Sequence, residues 1–122
     1  MRYELNIIST WGELRHVWFV RNYYFLIFRD DQRLSVWCDS EIKTAKNQIF
    51  VQGKTGFEDR LTLCIGSSVT RIKYVQYQVL EISLSNGYTL RIKLDPLHVH
   101  GLEAFEIQNE PRLGLIYIEL NV

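Results

Sequence analysis

The chain has 122 residues, 47% of them hydrophobic and 23% charged, with 14 basic and 14 acidic side chains and a formal net charge of zero. That length suits one domain burying roughly two-thirds of the surface its unfolded form exposes, and the composition excludes wholesale disorder and fibrous or low-complexity architecture. A neutral balance sets up no long-range field to draw in a polyanion, which argues against nucleic acid as a partner. No stretch approaches the roughly 18 apolar residues of a membrane span.

In chain order, the N-terminal stretch MRYELNIISTWGELR lacks the uninterrupted apolar run of a signal peptide. Strand-like runs of aromatic and β-branched residues then recur at Tyr3 to Ile8, Leu14 to Val20, Tyr23 to Phe28, Leu34 to Cys38, Ile49 to Val51, Arg60 to Cys64, Val69 to Val75, Val79 to Leu84, Thr89 to Leu94 and Leu113 to Leu120. Their short, regular spacing predicts a mostly β fold, an antiparallel sandwich or partly open barrel with at most one or two short helices. The helical candidate is Ser40 to Gln48, with Ser40 as cap and Ile42 and Ala45 as an apolar stripe. A further single turn is expected to start at Asp95-Pro96. Cys38 and Cys64 lie in the apolar runs SVWCD and LTLCIG without CxxC spacing, which reads as buried free thiols of a reducing cytoplasm.

An internal repeat organises the single β-rich domain 1–122, its copies running roughly over 12–56 and 66–110. At a constant offset of 56, Trp18 falls on Tyr74, Tyr24 on Leu80, Leu26 on Ile82, Phe28 on Leu84, Leu34 on Leu90, Val36 on Ile92 and Cys38 on Leu94. Two related β-meander halves closing on one core follow from this. In the second copy, a Ser85-Asn86-Gly87 loop places glycine where φ must be positive, so Leu84 faces Tyr88, Ile82 faces Leu90 and Leu80 faces Ile92 on the core side. Glu81 then faces Arg91 on the solvent side. Arg71, Lys73, Arg91 and Lys93 read as a solvated strand face.

The same register in the first copy makes Arg29-Asp30-Asp31 the loop, with Asp31 at the glycine position. The outer face of this hairpin carries Tyr23, Phe25, Ile27, Arg33, Ser35 and Trp37, and is mainly apolar where the second copy is polar. Its four large apolar groups would each forgo roughly 1.5 to 3 kcal/mol in water, so a cover is expected. The alternatives are the Ser40 to Gln48 helix, another strand of a closed sandwich, or a partner, including a second copy of the chain. For a partner, Tyr23, Phe25, Ile27 and Trp37 are the anchors and Asp30, Asp31 and Arg33 the rim.

The stretch HVHGLEAFE comes closest to a metal motif, because His98 and His100 at i and i+2 on a strand share a side. It resembles the cupin histidine pair, but Ala104 and Phe105 stand where the glutamate belongs and no histidine follows His100. Neither a metal nor a cofactor is expected. There is no G-x-S-x-G elbow, and QGKTGFED lacks P-loop spacing despite its GKT, so no catalytic residue is assigned.

From Ile65 to Ile107 the chain reads IGSSV, an alternating strand, LSNGYTLRI and then LEAFEI. This segment resembles a small bacterial domain pattern that includes immunity proteins of contact-dependent inhibition and related polymorphic toxin systems. The resemblance implies a non-enzymatic binding role, and the reading it supports is a cytoplasmic protein that binds and neutralises a cognate toxin. The alternative is a small-molecule-binding β-barrel carrier, whose marker is an interior that side chains do not fill.

Overall fold

Leu5, Ile8 and Trp11 recur every third residue, the period of a 3-10 helix, and Leu5–Thr10 adopts that form with Leu5 and Ile8 buried. The computed structural model describes residues 5–99, 103–110 and 115–120, with 103, 109, 110 and 115–120 described by backbone alone. The strand expected from Tyr3 to Ile8 is therefore a helix over its described part, and Tyr3 lies outside the described residues.

Five strands follow: β1 (Leu14–Val20), β2 (Tyr23–Phe28), β3 (Arg33–Val36), β4 (Ser40–Lys43) and β5 (Ile49–Val51). After a short helix, α1 (Phe57–Thr62), come β6 (Val69–Val75), β7 (Val79–Leu84), β8 (Thr89–Lys93), β9 (Glu103–Glu110) and β10 (Leu115–Leu120). They form two open antiparallel sheets, ordered β1-β2-β3-β9-β10 and β5-β4-β8-β7-β6. The fold is thus a sandwich and not a closed barrel. Each meander opens a sheet and the other half completes it: β4, with β5 on its outer edge, crosses over to pair with β8, and β9 crosses back to pair with β3.

The two meanders share fine detail. Leu14 pairs with Phe28 and His16 with Ile27, with a bulge between; Val69 pairs with Leu84 and Arg71 with Ser83, with a bulge at the same place. The starts of β1 and β6 meet in a Glu13 to Ser68 bridge, where the Leu14 amide donates to the Ser67 carbonyl and the Gly66 amide to the Leu14 carbonyl, both at 2.8 Å. The hairpin registers are those read from the sequence, including Leu84 with Tyr88 and Phe28 with Gln32, each closed by an amide donating across 2.8 Å. Gly87 has φ 89° and Asp31 φ 65°. Before β2, however, the offset is 55. Val20 and Tyr23 flank a two-residue turn where Val75 and Val79 flank three residues, so Trp18 stands level with Lys73 and not with Tyr74.

Two further expectations are overturned. Ser40 to Gln48 is not a helix but β4, a turn and the start of β5. Burial outweighed the weak helical stripe, since Ile42 is fully buried, and the Thr44 hydroxyl accepts the amides of Lys46 and Gln48 while Asn47 takes φ 65°. Arg60 to Cys64 is not a strand, because Phe57, Leu61 and Cys64 recur at helical spacing and bury together. Both cysteines are free and buried.

The interior is filled by side chains. Trp11, Tyr24, Phe28, Phe57 and Phe105 are all buried between the sheets, with Tyr24 edge-on to Phe57 and Trp11 edge-on to Phe28. The Tyr24 hydroxyl, on β2, donates to the Ser40 hydroxyl, on β4, at 2.7 Å and so links the layers through a satisfied buried polar pair. Gly56, at φ 98°, begins α1 directly under the Phe50 ring, where a β-carbon would fall 2.6 Å from a ring atom. Gly56→Ala is therefore expected to cost about 1 to 2 kcal/mol, read as a lower urea midpoint with an unchanged slope. An unshifted midpoint would show that Phe50 swings clear and that the positive φ carries no penalty.

Candidate functional site

The outward-facing rows of the two sheets occupy equivalent positions but carry opposite chemistry. On the second sheet the central row is Lys73, Glu81, Arg91 and Glu41, alternating in sign across four paired strands. Arg91 donates to Glu41 at 2.7 Å and to Glu81 at 2.9 Å, and Lys93 lies 3.0 Å from the other Glu41 oxygen. Burial pushes the Glu41 carboxyl up, yet the hydrogen bonds and charges of Lys93 and Arg91 outweigh it and hold the group below the usual carboxylate range. Arg91, Lys93, Glu41 and Glu81 thus satisfy one another, while Lys73 is exposed at the end of the row.

On the first sheet the matching row is Trp18, Phe25, Ser35 and Glu106, and the next is His16, Ile27, Arg33 and Gln108. By register, Ile116 and Ile118 of β10 stand opposite Gln108 and Glu106. Trp18 is 54% exposed, and Val20 further along β1 is also exposed. Tyr23, Phe25 and Trp37 are half-buried, with the Tyr23 and Phe25 rings edge-on at 6.0 Å. Ile27 is buried, so it serves as the floor of the face.

Of the rim residues, Asp30 and Asp31 are exposed on the β2-β3 turn, and Arg33 lies over the Phe25 ring at 5.5 Å. Trp18, Ile27, Asp31, Arg33 and Gln108 surround a shallow depression of about 240 Å³. The structure therefore groups Tyr23, Phe25, Ile27, Arg33 and Trp37 on one sheet face and sets the two aspartates at its end. The Ser40 to Gln48 segment, expected as a cover, belongs to the other sheet.

Trp18 and Gln108 were not among the sequence candidates. Trp18 was legible from the two-residue turn Arg21-Asn22, which forces it opposite Phe25. Gln108 needed the β3 to β9 pairing, for which no local signal exists.

Of the remaining candidates, His98 is tied into a turn. His98 Nδ1 lies 2.8 Å from both Asp95 carboxylate oxygens, and the His98 carbonyl accepts the Asp39 amide. His16 is exposed on β1, and His100 lies outside the described residues. Among the described residues no three His, Cys, Asp or Glu side chains converge as metal ligands. Burial pushes the Cys38 thiol up to about 12 and raises Cys64 as well, which keeps both protonated. Among the described residues no helix is long and apolar enough to cross a membrane. Comparison with protein-family models, curated proteins and solved structures returns no match.

Proposed function

We propose that the chain is a non-enzymatic protein-binding domain whose docking surface is the outer face of the first sheet. The observation that carries this reading is the contrast between equivalent positions. The scaffold places Lys73, Glu81, Arg91 and Glu41 in one outer row and Trp18, Phe25, Ser35 and Glu106 in the other, so nothing about the fold itself requires an aromatic row in contact with solvent. Large aromatic anchors beside Arg and ringed by polar groups are the usual anatomy of a protein contact.

The finer reading follows from the likeness of Ile65 to Ile107 to immunity-type domains: a cytoplasmic protein that occludes a bacterial toxin. Purified protein mixed with the toxin domain encoded by the adjacent gene is expected to elute as a complex. The Trp18→Ala, Phe25→Ala double variant is expected to weaken it by at least about 2 kcal/mol, roughly thirtyfold, while staying folded. Absence of a complex removes the immunity reading; a complex unaffected by the double variant removes the face. The carrier alternative is disfavoured by the packed aromatic interior.

A further inference from the structure

Arg33 is a half-buried cation on the outer face of the first sheet. Its Nη2 donates to Gln108 Oε1 at 2.8 Å, its guanidinium carbon lies 5.5 Å over the Phe25 ring, and its Nε is buried with no acceptor. Among the described residues no carboxylate lies within ion-pair distance of it, although Asp31 borders the same depression. On the second sheet, by contrast, Arg91 and Lys93 are each neutralised by Glu41 or Glu81.

A half-buried guanidinium held in place from two sides, with no counter-charge among the described residues, is prepared for an external one. Arginine is the cation suited to this, since its planar fork matches a carboxylate and its flat face tolerates an aromatic neighbour. Trp18 and Ile27 supply apolar walls around it, where exclusion of water strengthens a charge-assisted hydrogen bond.

We propose that the depression between Trp18, Ile27 and Arg33 receives an acidic side chain of a protein partner, its carboxylate on the Arg33 guanidinium and its backbone across the aromatic row. This rests on the reading of the first sheet's outer face as a docking surface, and names what that surface recognises. Three described charged or titratable groups share this face, and Glu106 stands opposite Ser35, two residues from Gln108 on β9. Exposed Asp31 opposes a second negative charge at the rim, and exposed His16 lies level with Ile27 on β1.

The test uses the whole chain with two peptides, acetyl-Gly-Glu-Phe-Gly-amide and its Gln twin, followed by the side-chain N–H resonances of Arg33 and Trp18. The Glu peptide is expected to give saturable shifts of both resonances at a concentration about tenfold below the Gln twin, the scale of one charge-assisted hydrogen bond. Arg33→Gln is expected to make the two peptides equal, and Asp31→Asn to tighten the Glu peptide alone. Equal binding of both peptides to the unaltered chain overturns the carboxylate site and leaves the aromatic surface standing. A preference for Glu that survives Arg33→Gln overturns it too, since another cation would then hold the carboxylate. No shift with either peptide at millimolar concentration overturns both the site and the surface.

Discussion

Trp11→Ala is expected to remove about 3 to 5 kcal/mol of stability, a large share of the roughly 5 to 15 kcal/mol that a domain possesses, whereas Trp18→Ala changes it by less than about 0.5 kcal/mol. The two tryptophans are seven positions apart, and the fold gives them opposite work. Trp11 is 1% exposed, ends the 3-10 helix by donating its amide to the Ile8 carbonyl, and meets Phe28 edge-on at 5.3 Å. Truncation there leaves a cavity in the core beside Phe28 that the rigid sheets cannot close. Trp18 stands in solvent on the edge strand, and its removal exposes little that was hidden. Urea midpoints of the two variants check this directly. A Trp18→Ala midpoint as low as that of Trp11→Ala would mean that the aromatic face is part of the core, and it would also undercut the docking proposal.

The divergence of the two sheets gives that contrast its meaning. Both meanders are built on the same bulge, the same hairpin register and the same inward row: Val17, Leu26, Leu34 and Ile107 in one, Ile72, Ile82, Leu90 and Ile42 in the other. Inward positions are held alike by packing, where a volume change of one methylene is already felt. Outward positions are free to differ. One set became a ladder of alternating charges in which Arg91, Lys93, Glu41 and Glu81 satisfy one another, and the other became largely apolar around Arg33.

Legibility in the sequence follows the range of each interaction. Hairpins were readable because loop length and the positive-φ position sit next to the strands they align, as Gly87 and Asp31 do. The apolar character of Tyr23, Phe25, Ile27 and Trp37 was readable from strand alternation alone. The short helices were not, since six-residue segments such as Phe57–Thr62 carry too few turns for their period to stand out from strand alternation. The exchange of β4-β5 and β9 between halves left no local mark. Ser40 is buried because Tyr24 of the other sheet donates to it, and Glu41 is buried because β8 brings Arg91 and Lys93. The same long-range pairing brings Gln108 to Arg33, so the depression was invisible until β9 was in place.

Glu41→Gln is expected to cost about 1 to 3 kcal/mol at neutral pH and to flatten the acid limb of the stability curve. Losing one member of a buried pair costs about 3 to 5 kcal/mol, but Arg91 and Lys93 are about a third exposed and recover part of their hydration, which lowers the figure. Arg91 also keeps Glu81. The pH dependence has a definite direction. Glu41 is held below the ordinary carboxylate range in the folded chain and titrates near about 4.3 when unfolded, so the unfolded chain binds the proton first. Its contribution is complete above that unfolded value and is lost as pH falls through the depressed folded one. Asp95, held low beside His98 against the upward push of burial, titrates in the same direction and is common to both proteins. Urea unfolding of the native chain and of Glu41→Gln at neutral pH and near pH 3 isolates the Glu41 share as the difference of differences. The native chain should lose more stability on acidification than the variant. Equal losses would mean that Arg91 and Lys93 hold Glu41 no more tightly than water does, and the charged ladder of the second sheet would then be a solvated surface and not a closed one.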